Sequence, residues 1–279
     1  MTSNRRRPAH PAPAQEIVRS FYDRYGWRSD GAMSGEDKLF RQFPHAHQTY
    51  ARGPAARVLR LLAPIGGRLL LVGGGDLPQS HVEICAAFER AHCLDISAPA
   101  VEQAKAILGD RAVCQVGSIV DSGLESATFD AVFCAHVAYH IDRSDQERAV
   151  REMLRLVKPG GRVVIIYANP RSPFAIPGEA MRRLNAGWTR RPSGTELAEA
   201  PPLYYYAHPL SWWRRFADPD VGVRFEPWEA IGSRPARALL KSGALARAFY
   251  RAAAALESAA PSLAVALWQY PIVVIDKRR

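Results

Sequence analysis

The chain has 279 residues, of which 48% are hydrophobic and 23% are charged. This composition is typical of a folded globular protein and excludes a collagen-like or wholly disordered chain. The formal net charge of +10 at first suggests a polyanionic partner such as nucleic acid. However, residues 58–169 carry eleven basic and thirteen acidic side chains, so the excess charge lies outside the middle of the chain and we expect no nucleic-acid partner.

Both ends of the chain lack the features of a targeted or membrane protein. Residues 1–14 are rich in proline and arginine, without an apolar stretch behind the basic residues, and predict a disordered tail rather than a signal peptide. The apolar run at residues 252–268 is interrupted by Glu257 and Pro261, so it does not predict a bilayer span. We therefore expect a cytoplasmic protein without a membrane partner.

Residues 15–57 predict a helical cap at the start of the folded part. Within it, apolar residues recur at helical spacing and indicate an amphipathic helix with an aromatic face. These positions are Ile17, Val18, Phe21, Tyr22 and Tyr25. Gly26 is expected to end this helix.

Residues 58–169 alternate short apolar runs with helical segments, which predicts βα units around a mainly parallel sheet. The predicted strands are residues 68–72, a second strand that ends at Asp95, and residues 112–116, 129–134 and 162–167. The predicted helices are residues 79–90 and 100–108, and a third that a capping box from Ser144 to Glu147 opens. This pattern predicts an α/β fold with helices on both faces of the sheet.

The last third of the chain divides into two parts. Residues 170–220 are rich in proline, arginine and aromatic residues, and an insertion this long after the fifth strand predicts a lid or substrate-binding element. Residues 221–279 are expected to complete the core sheet, with strands at 221–225 and 267–275 around a helix at 234–258.

A glycine cluster separates the first predicted strand from the helix that follows it. Gly73, Gly74 and Gly75 allow backbone N–H groups to approach a ligand closely. Pro78 stands where a dinucleotide-binding motif has its last glycine, so a ligand without a pyrophosphate is favoured. Asp95 follows at the spacing of a carboxylate that binds ribose hydroxyls. A tight structural turn and a solvated Asp95 are the alternative.

Five segments in order resemble the class I S-adenosylmethionine-dependent methyltransferases of the small-molecule type. They are residues 69–75, 94–96, 117–119, 129–136 and 156–165. The resemblance covers about residues 58–169, and its most specific parts are the Lys-Pro-Gly-Gly turn and the Phe-Asp-Ala-Val strand. It implies a Rossmann-like sheet of seven strands with an antiparallel last strand at residues 267–275. It also implies S-adenosyl-L-methionine as cofactor and S-adenosyl-L-homocysteine as product.

The resemblance assigns cofactor contacts residue by residue. It implies that Gly73, Gly74 and Gly75 hold the methionine part, that Asp95 binds the ribose, and that Ile96 and Ile119 flank the adenine. The other implied cofactor contacts are Ser118, Ala135, His136 and, on the N-terminal helix, Tyr25.

Three positions depart from the family pattern. Leu71 stands where the family often has an acid, Leu77 where it has a glycine, and Ser118 where it has Asp or Glu. Each change removes or weakens a polar contact to the cofactor. A homologue that binds the cofactor without transferring a methyl group is therefore an alternative function.

His136 and His140 are the candidate catalytic residues. They follow the fourth predicted strand, at the carboxyl edge where ligands of such sheets bind, and their spacing of four would put both on one face if the segment is helical. We expect His140 to be the general base. The alternative is that one histidine packs against the cofactor and the other caps a turn. Neither has a carboxylate at ligand spacing, so no metal site is expected.

Aromatic residues outside the core predict the substrate contacts, because amphipathic rings can line a largely apolar pocket. The set is Tyr22, Tyr139, Tyr204, Tyr205, Tyr206 and Trp212. For some of these rings, Trp212 in particular, packing in the core of the insertion is the alternative.

Together these features predict a methyltransferase that acts on a small-molecule acceptor, with oxygen or nitrogen favoured because a candidate base is present. An NAD-dependent oxidoreductase is a further alternative, which Pro78 disfavours. The sequence leaves the oligomeric state, including a homodimer, open.

Overall fold

A computed structural model describes residues 13–25, 45–75, 77–175, 203–232, 235–236, 239–240 and 243–278. The helices with defined bounds are α1 (Pro13–Tyr25), α2 (His45–Leu62), α3 (Gln79–Ala86), α4 (Ala98–Leu108), α5 (Gln146–Leu156), α6 (Gly243–Ala259) and α7 (Pro261–Leu267). The strands are β1 (Arg68–Val72), β2 (Arg90–Asp95), β3 (Ala112–Val116), β4 (Phe129–Ala135), β5 (Val157–Ile166), β6 (Val221–Glu229) and β7 (Tyr270–Lys277). Short 3-10 helices occupy Gly109–Arg111, Ala138–His140 and Leu210–Phe216.

The seven strands form one sheet in the order β3-β2-β1-β4-β5-β7-β6. β1 to β5 are parallel, whereas β7 runs antiparallel to both β5 and β6. The predicted α/β fold with an antiparallel last strand is confirmed. The strand order reverses between β1 and β4, which opens a crevice at the carboxyl ends of these two strands.

Both faces of the sheet are buried, which explains why the central strands are continuous apolar runs. On β1, Leu70 and Val72 pack on one face with Met153 of α5. Leu69 and Leu71 pack on the other face with the residues of α2 and α3. Leu71, where the family often has an acid, is thus fully buried in an apolar layer.

A third core joins the N-terminal cap to the C-terminal helices. Tyr50 of α2 stacks on Tyr250 of α6, and Trp268 packs in the same cluster. The buried carboxylate of Glu257 accepts hydrogen bonds from the hydroxyl of Tyr50 and from Trp268 Nε1, and pairs with Arg57. The predicted cap at residues 15–57 is therefore packed in part on residues from the end of the chain.

The predicted capping box from Ser144 to Glu147 is wrong. Helix α5 begins at Gln146, and its N-cap residue Asp145 makes no side-chain capping bond. The backbone and hydroxyl groups of Ser144 both donate to Asp142 Oδ1, because a carboxylate two residues upstream competes for them. Glu147 binds arginine side chains instead.

Several element boundaries also differ from the prediction. β2 begins at Arg90, so the helix predicted over residues 79–90 ends early, at Ala86. Residues 261–267 form a helix, and the last strand begins at Tyr270 rather than residue 267. In the predicted lid, residues 176–202 lie outside the described part. Over the described ranges, no helix is long and apolar enough to cross a membrane.

Candidate active site

A cleft opens at the carboxyl ends of β1 to β4, the edge at which open α/β sheets bind ligands. Its floor consists of the loops that follow these strands, and α1 forms part of its wall. The cleft is lined at the strand ends by Gly73, Gly74, Gly75, Asp95, Ile96, Gly117, Ser118, Ile119, Ala135, His136 and Val137.

The glycine loop after β1 needs glycine at its first position. Gly73 has a φ of +72°, and a Cβ there would collide with the Cγ2 methyl of Val137. Its N–H donates to the carbonyl oxygen of Leu94 at 2.8 Å. Gly75 has a φ of +54°, also in the region that favours glycine. The loop thus lies close against the neighbouring strand ends.

Leu77 takes a conformation that glycine adopts without strain. Its φ is +49°, and its side chain is buried in the same apolar cluster as Leu71. A left-handed conformation costs a non-glycine residue about 1–2 kcal/mol. Burial of the Leu77 side chain offsets that strain, so the backbone keeps the shape that a glycine would allow.

Asp95 at the end of β2 is a buried carboxylate that faces the cleft, with 9% of its surface exposed. Its Oδ1 accepts a hydrogen bond from the N–H of Ser97 at 2.8 Å, and its Oδ2 from the N–H of Gly75 at 3.1 Å. Burial raises the pKa of Asp95, and these backbone bonds oppose that rise. A carboxylate has about four lone-pair sites, so Asp95 has acceptor capacity left for a ligand hydroxyl group.

Helix α1 covers one side of the cleft and is bonded to two of its loops. Asp23 Oδ1 accepts a hydrogen bond from the hydroxyl of Ser97 at 2.8 Å, and the hydroxyl of Ser118 donates to Gln15 Oε1 at 3.2 Å. Tyr22 lines the cleft from the same helix. The side chain of Tyr25 lies outside the described part of the chain.

His136 directly follows β4 in a strained backbone conformation, with a φ of +59°. Strain of this kind clusters at functional sites. Its Nδ1 lies 2.8 Å from the hydroxyl oxygen of Tyr139, and its ring contacts Tyr270 edge to face. Burial lowers the pKa of His136 to about 3, so the ring is neutral at physiological pH.

His140 is the last residue of a 3-10 turn, so the two histidines do not share one face of an α-helix as predicted; both nevertheless line the cleft. His140 Nδ1 lies 2.7 Å from the carbonyl oxygen of Tyr204. Because a carbonyl only accepts, Nδ1 carries the proton and the lone pair of the neutral ring is on Nε2. Burial lowers the pKa of His140, which favours this neutral form.

Most of the predicted substrate aromatics do not line the cleft. Tyr139 is buried beneath it, and Tyr205, which is 53% exposed, packs on Tyr139 and His140. Tyr206 lies under the guanidinium of Arg143. Of the six predicted substrate residues, only Tyr22 lines the cleft.

Tyr204 and Trp212 have structural contacts in the same region. The hydroxyl of Tyr204 accepts a hydrogen bond from the N–H of Arg143. Trp212 is buried against Trp213 and Phe216, and it stacks on His208 with ring centroids 4.3 Å apart. Trp212 is therefore a core residue, as the alternative interpretation proposed.

Sequence reasoning placed the strand-end residues in the cleft but missed residues from other elements. The missed lining residues include Gln15, Val18, Pro78, His81, Asp142 and Asp145. His81 could have been found, because the first turn of the helix that follows a glycine loop faces the same ligand. Gln15 could not, because nothing local relates α1 to Ser118.

The cysteines and acidic residues form no metal centre in the ranges that the structure describes. All four cysteines are free thiols. No group of three or more His, Cys, Asp or Glu side chains there is arranged to hold a metal ion.

A family model, a curated relative and solved structures all relate this chain to methyltransferases. The model of a family described as "Methyltransferase domain" matches residues 70–165. An uncharacterized methyltransferase of Anoxybacillus flavithermus is 23% identical over 146 residues, which is 51% of this chain and 63% of that protein. The aligned stretch thus spans less than two thirds of that relative.

Solved structures resemble almost the whole chain. Geranyl diphosphate C-methyltransferase from Streptomyces coelicolor, in complex with Mg²⁺, geranyl diphosphate and S-adenosyl-L-homocysteine, aligns with a TM-score of 0.59 and 17% identity, covering 97% of this chain and all of that one. Magnesium protoporphyrin IX methyltransferase from Synechocystis with bound S-adenosylmethionine aligns with a TM-score of 0.53 and 12% identity, covering 98% and 100%. At such identities these likenesses show the shared fold.

Proposed function

The chain carries a class I S-adenosylmethionine-dependent methyltransferase domain, and on this premise we propose that it methylates an oxygen or nitrogen atom of a small molecule. One observation carries the proposal. A neutral histidine with an available Nε2 lone pair, His140, lines the same cleft as the buried carboxylate of Asp95 and the glycine loop. The cleft thus combines a cofactor cradle with a candidate base.

The lining of the cleft fits S-adenosylmethionine. Asp95 is a carboxylate that faces the cleft, and the acceptor capacity left beside its backbone hydrogen bonds suits it to ribose hydroxyls. Ile96 and Ile119 supply apolar surface suited to the faces of an adenine ring. When bound, this cofactor supplies an electrophilic methyl group on a sulfonium ion.

The departures from the family pattern are compatible with that fit. Leu71 is buried in the apolar core. Leu77 keeps the left-handed turn. Ser118 is bonded to Gln15, so a polar amide lines the cleft beside the position where the family often has an acid.

His140 would act by accepting a proton. An oxygen or nitrogen acceptor that bears hydrogen must lose a proton as it gains a methyl group, and a positioned base contributes about 10²–10⁴-fold to such a step. Burial keeps His140 neutral and the carbonyl of Tyr204 holds its other nitrogen. His136, beside it in the cleft, would help to exclude water and orient the acceptor.

The cover of the cleft by α1 favours a small acceptor. Helix α1 closes one side through Asp23 and Gln15, and Tyr22 provides an aromatic surface at the acceptor. The two solved neighbours named above act on, or bind, small molecules by their names.

The first experiment is calorimetric titration of the purified protein with S-adenosylmethionine, S-adenosylhomocysteine and, as a control, NAD. Mass spectrometry of the purified protein should first establish whether a ligand is retained. We expect micromolar binding of the first two and none of NAD. Absence of binding to ligand-free protein would mean that Leu71, Leu77 and Ser118 have abolished the site, and binding of NAD alone would favour an oxidoreductase.

The second experiment measures release of S-adenosylhomocysteine with panels of phenols, carboxylic acids and amines. Release that depends on one of these classes supports the proposal and identifies the acceptor atom. Tight cofactor binding without release on any panel would favour the alternative that the domain binds the cofactor for another reaction or a structural role.

A further inference from the structure

The segment that follows the predicted insertion is bonded directly to the loop that bears the candidate base. Residues 203–208 run along residues 138–146. The hydrogen bonds are His140 Nδ1 to the carbonyl of Tyr204, the N–H of Arg143 to the hydroxyl of Tyr204, and the N–H of Tyr206 to the carbonyl of Tyr139. A segment 60 residues away along the chain therefore sets the surroundings of His140.

Gln146 joins these two segments from the first position of α5. Its side chain is buried, with 1% of the residue exposed. Nε2 donates to the carbonyl of Ile141 at 3.1 Å and to the carbonyl of Tyr206 at 2.8 Å, and Oε1 accepts from the hydroxyl of Tyr167 at 2.9 Å. Because carbonyls only accept, the amide nitrogen must face them, and its orientation is determined.

The bonds to Tyr206 determine where the carbonyl of Tyr204 lies. The N–H of Tyr206 is held by Tyr139 and its carbonyl by Gln146. With both backbone groups of Tyr206 held, the chain two residues earlier has little freedom. The carbonyl of Tyr204 is thereby kept within hydrogen-bond distance of His140 Nδ1.

We propose that Gln146 is a positioning residue: it holds residues 204–206 against the loop of His140, so that the carbonyl of Tyr204 keeps the imidazole proton on Nδ1. Nε2 is then free to accept a proton within the cleft. The use of Nε2 in catalysis rests on the proposed function, whereas the control of the tautomer does not.

A purely structural role for Gln146 makes a different prediction. If the amide only satisfies buried polar groups, its loss lowers the stability of the fold without changing which nitrogen of His140 is protonated. If it positions the segment, the tautomer changes even in protein that remains folded. The ¹⁵N resonances of the imidazole nitrogens distinguish the two, because a protonated and an unprotonated nitrogen have well-separated shifts.

The experiment uses the full chain labelled with ¹⁵N-histidine, without cofactor or substrate, and with His140→Asn to assign the resonances. In the unsubstituted protein we expect His140 to have a protonated Nδ1 and an unprotonated Nε2. In Gln146→Leu we expect a mixture of tautomers. Arg148→Ala, on the solvent-exposed side of the same helix, is the matched control and should keep the original pattern.

Turnover gives the second readout once an acceptor is known. Misplacement of a catalytic group by about 1 Å can cost about 10²-fold, so we expect Gln146→Leu to lower kcat by about 10- to 100-fold. The KM for S-adenosylmethionine should be unchanged, because Gln146 does not line the cleft.

Tyr167→Phe covers the case in which Gln146→Leu fails to fold. It removes only the hydroxyl that orients the amide and that accepts from the N–H of His208, and we expect a smaller change of tautomer in the same direction. An unchanged Nδ1-protonated pattern in folded Gln146→Leu, or in Tyr167→Phe where the first variant is unfolded, would overturn the inference. If Gln146→Leu changes the tautomer but the unsubstituted protein transfers no methyl group to any acceptor, the role of Gln146 stands and the proposed function alone is contradicted.

Discussion

The two halves of the cleft are built in different ways. The half proposed to hold the cofactor, here called the cofactor half, consists of the strand-end residues Gly73–Gly75, Asp95–Ser97 and Gly117–Ile119. The half proposed to hold the acceptor, here called the acceptor half, consists of residues 136–146, and the segment 203–208 is bonded to it from outside the lining of the cleft. In the cofactor half, the Gly75–Asp95 hydrogen bond joins the loop after β1 to the end of β2, 20 residues apart, whereas in the acceptor half the bond between His140 and Tyr204 spans 64 residues.

This difference determines how a substitution disturbs each half. The loops of the cofactor half are positioned by the register of parallel strands, so a single substitution there changes one contact. The acceptor half depends on a distant segment held by a few hydrogen bonds, so a substitution can change the geometry of a group it does not touch. Substitutions in the two halves, and the pH dependence of turnover, test this contrast, from the largest expected effect to the smallest.

Replacing the candidate base should have the largest effect on turnover. We expect His140→Ala to lower kcat by about 10²–10⁴-fold, because the substitution removes the proposed proton acceptor. The assay is release of S-adenosylhomocysteine at saturating acceptor, with calorimetry to verify that cofactor affinity is retained. Unchanged turnover would remove His140 from that role and leave the acceptor half without a base.

Asp95→Asn should weaken cofactor binding most strongly. The substitution removes the charge that accepts ribose hydroxyls and turns an amide NH₂ toward the N–H of Gly75 or of Ser97. Hydrogen bonds to a charged group are worth about 1.5–3 kcal/mol each, so we expect the Kd for S-adenosylmethionine to rise about 100-fold or more. Calorimetry measures it, and an affinity within a few-fold of the original would contradict the ribose assignment.

Gly73→Ala tests whether the glycine loop tolerates a side chain. The positive φ and the collision with Val137 predict a loss of about 1–3 kcal/mol in the free energy of unfolding. Gly53→Ala is the matched control, because a Cβ there meets nothing within 4 Å inside helix α2. It should raise the free energy of unfolding by about 0.5–1 kcal/mol. Denaturant titration of both variants measures the two signs, and equal signs would contradict the interpretation.

Asp23→Ala should weaken cofactor binding only moderately. It removes the acceptor for the hydroxyl of Ser97 and leaves the backbone bond from Ser97 to Asp95 intact. A single hydrogen bond contributes about 0.5–1.5 kcal/mol, so we expect a rise in Kd of about 3- to 10-fold. Glu16→Ala, an exposed position on the same helix, is the control. If both variants bind the cofactor as the unsubstituted protein does, α1 is not coupled to the cofactor half.

The pH dependence of kcat should show the smallest effect. Burial lowers the pKa of His140 below its usual value of about 6.5, and the bond to Tyr204 only partly opposes this. A lowered pKa keeps the ring neutral, so turnover should fall only as the pH drops through that lowered value. When kcat is measured at decreasing pH, its value at about pH 6.5 should still equal its value at neutral pH. If kcat of His140→Ala still falls at low pH in the same way, that fall is due to the titration of another group.

Much of the cofactor half could be predicted from the sequence. The strand from Arg68 to Val72, the glycines after it and Asp95 at the end of β2 follow from apolar runs, turn residues and spacing, all of which are local. The described residues assigned to the cofactor do line the cleft. The capping box at Ser144 failed because a nearby carboxylate, Asp142, offered a better partner, a competition that a motif does not reveal.

The acceptor half could be predicted only in part. The sequence pointed to His136 and His140, because ligands bind where a parallel strand ends. It also pointed to Tyr204 and Tyr206, but as substrate-lining rings. In the structure the backbone of both tyrosines and the hydroxyl of Tyr204 make the contacts to the loop of His140. Backbone hydrogen bonds between distant segments leave no trace in residue type.

The sequence by itself determined the α/β architecture, the glycine loop, the carboxylate at the end of β2 and the pair of histidines. These depend on periodicity and on short-range geometry, which residue identity controls directly. Only the tertiary structure decided that α1 binds Ser97 and Ser118, that Trp212 packs in the core, and that Tyr204 selects the tautomer of His140. Such contacts join residues far apart along the chain, and they exist only once the packed core brings those segments together.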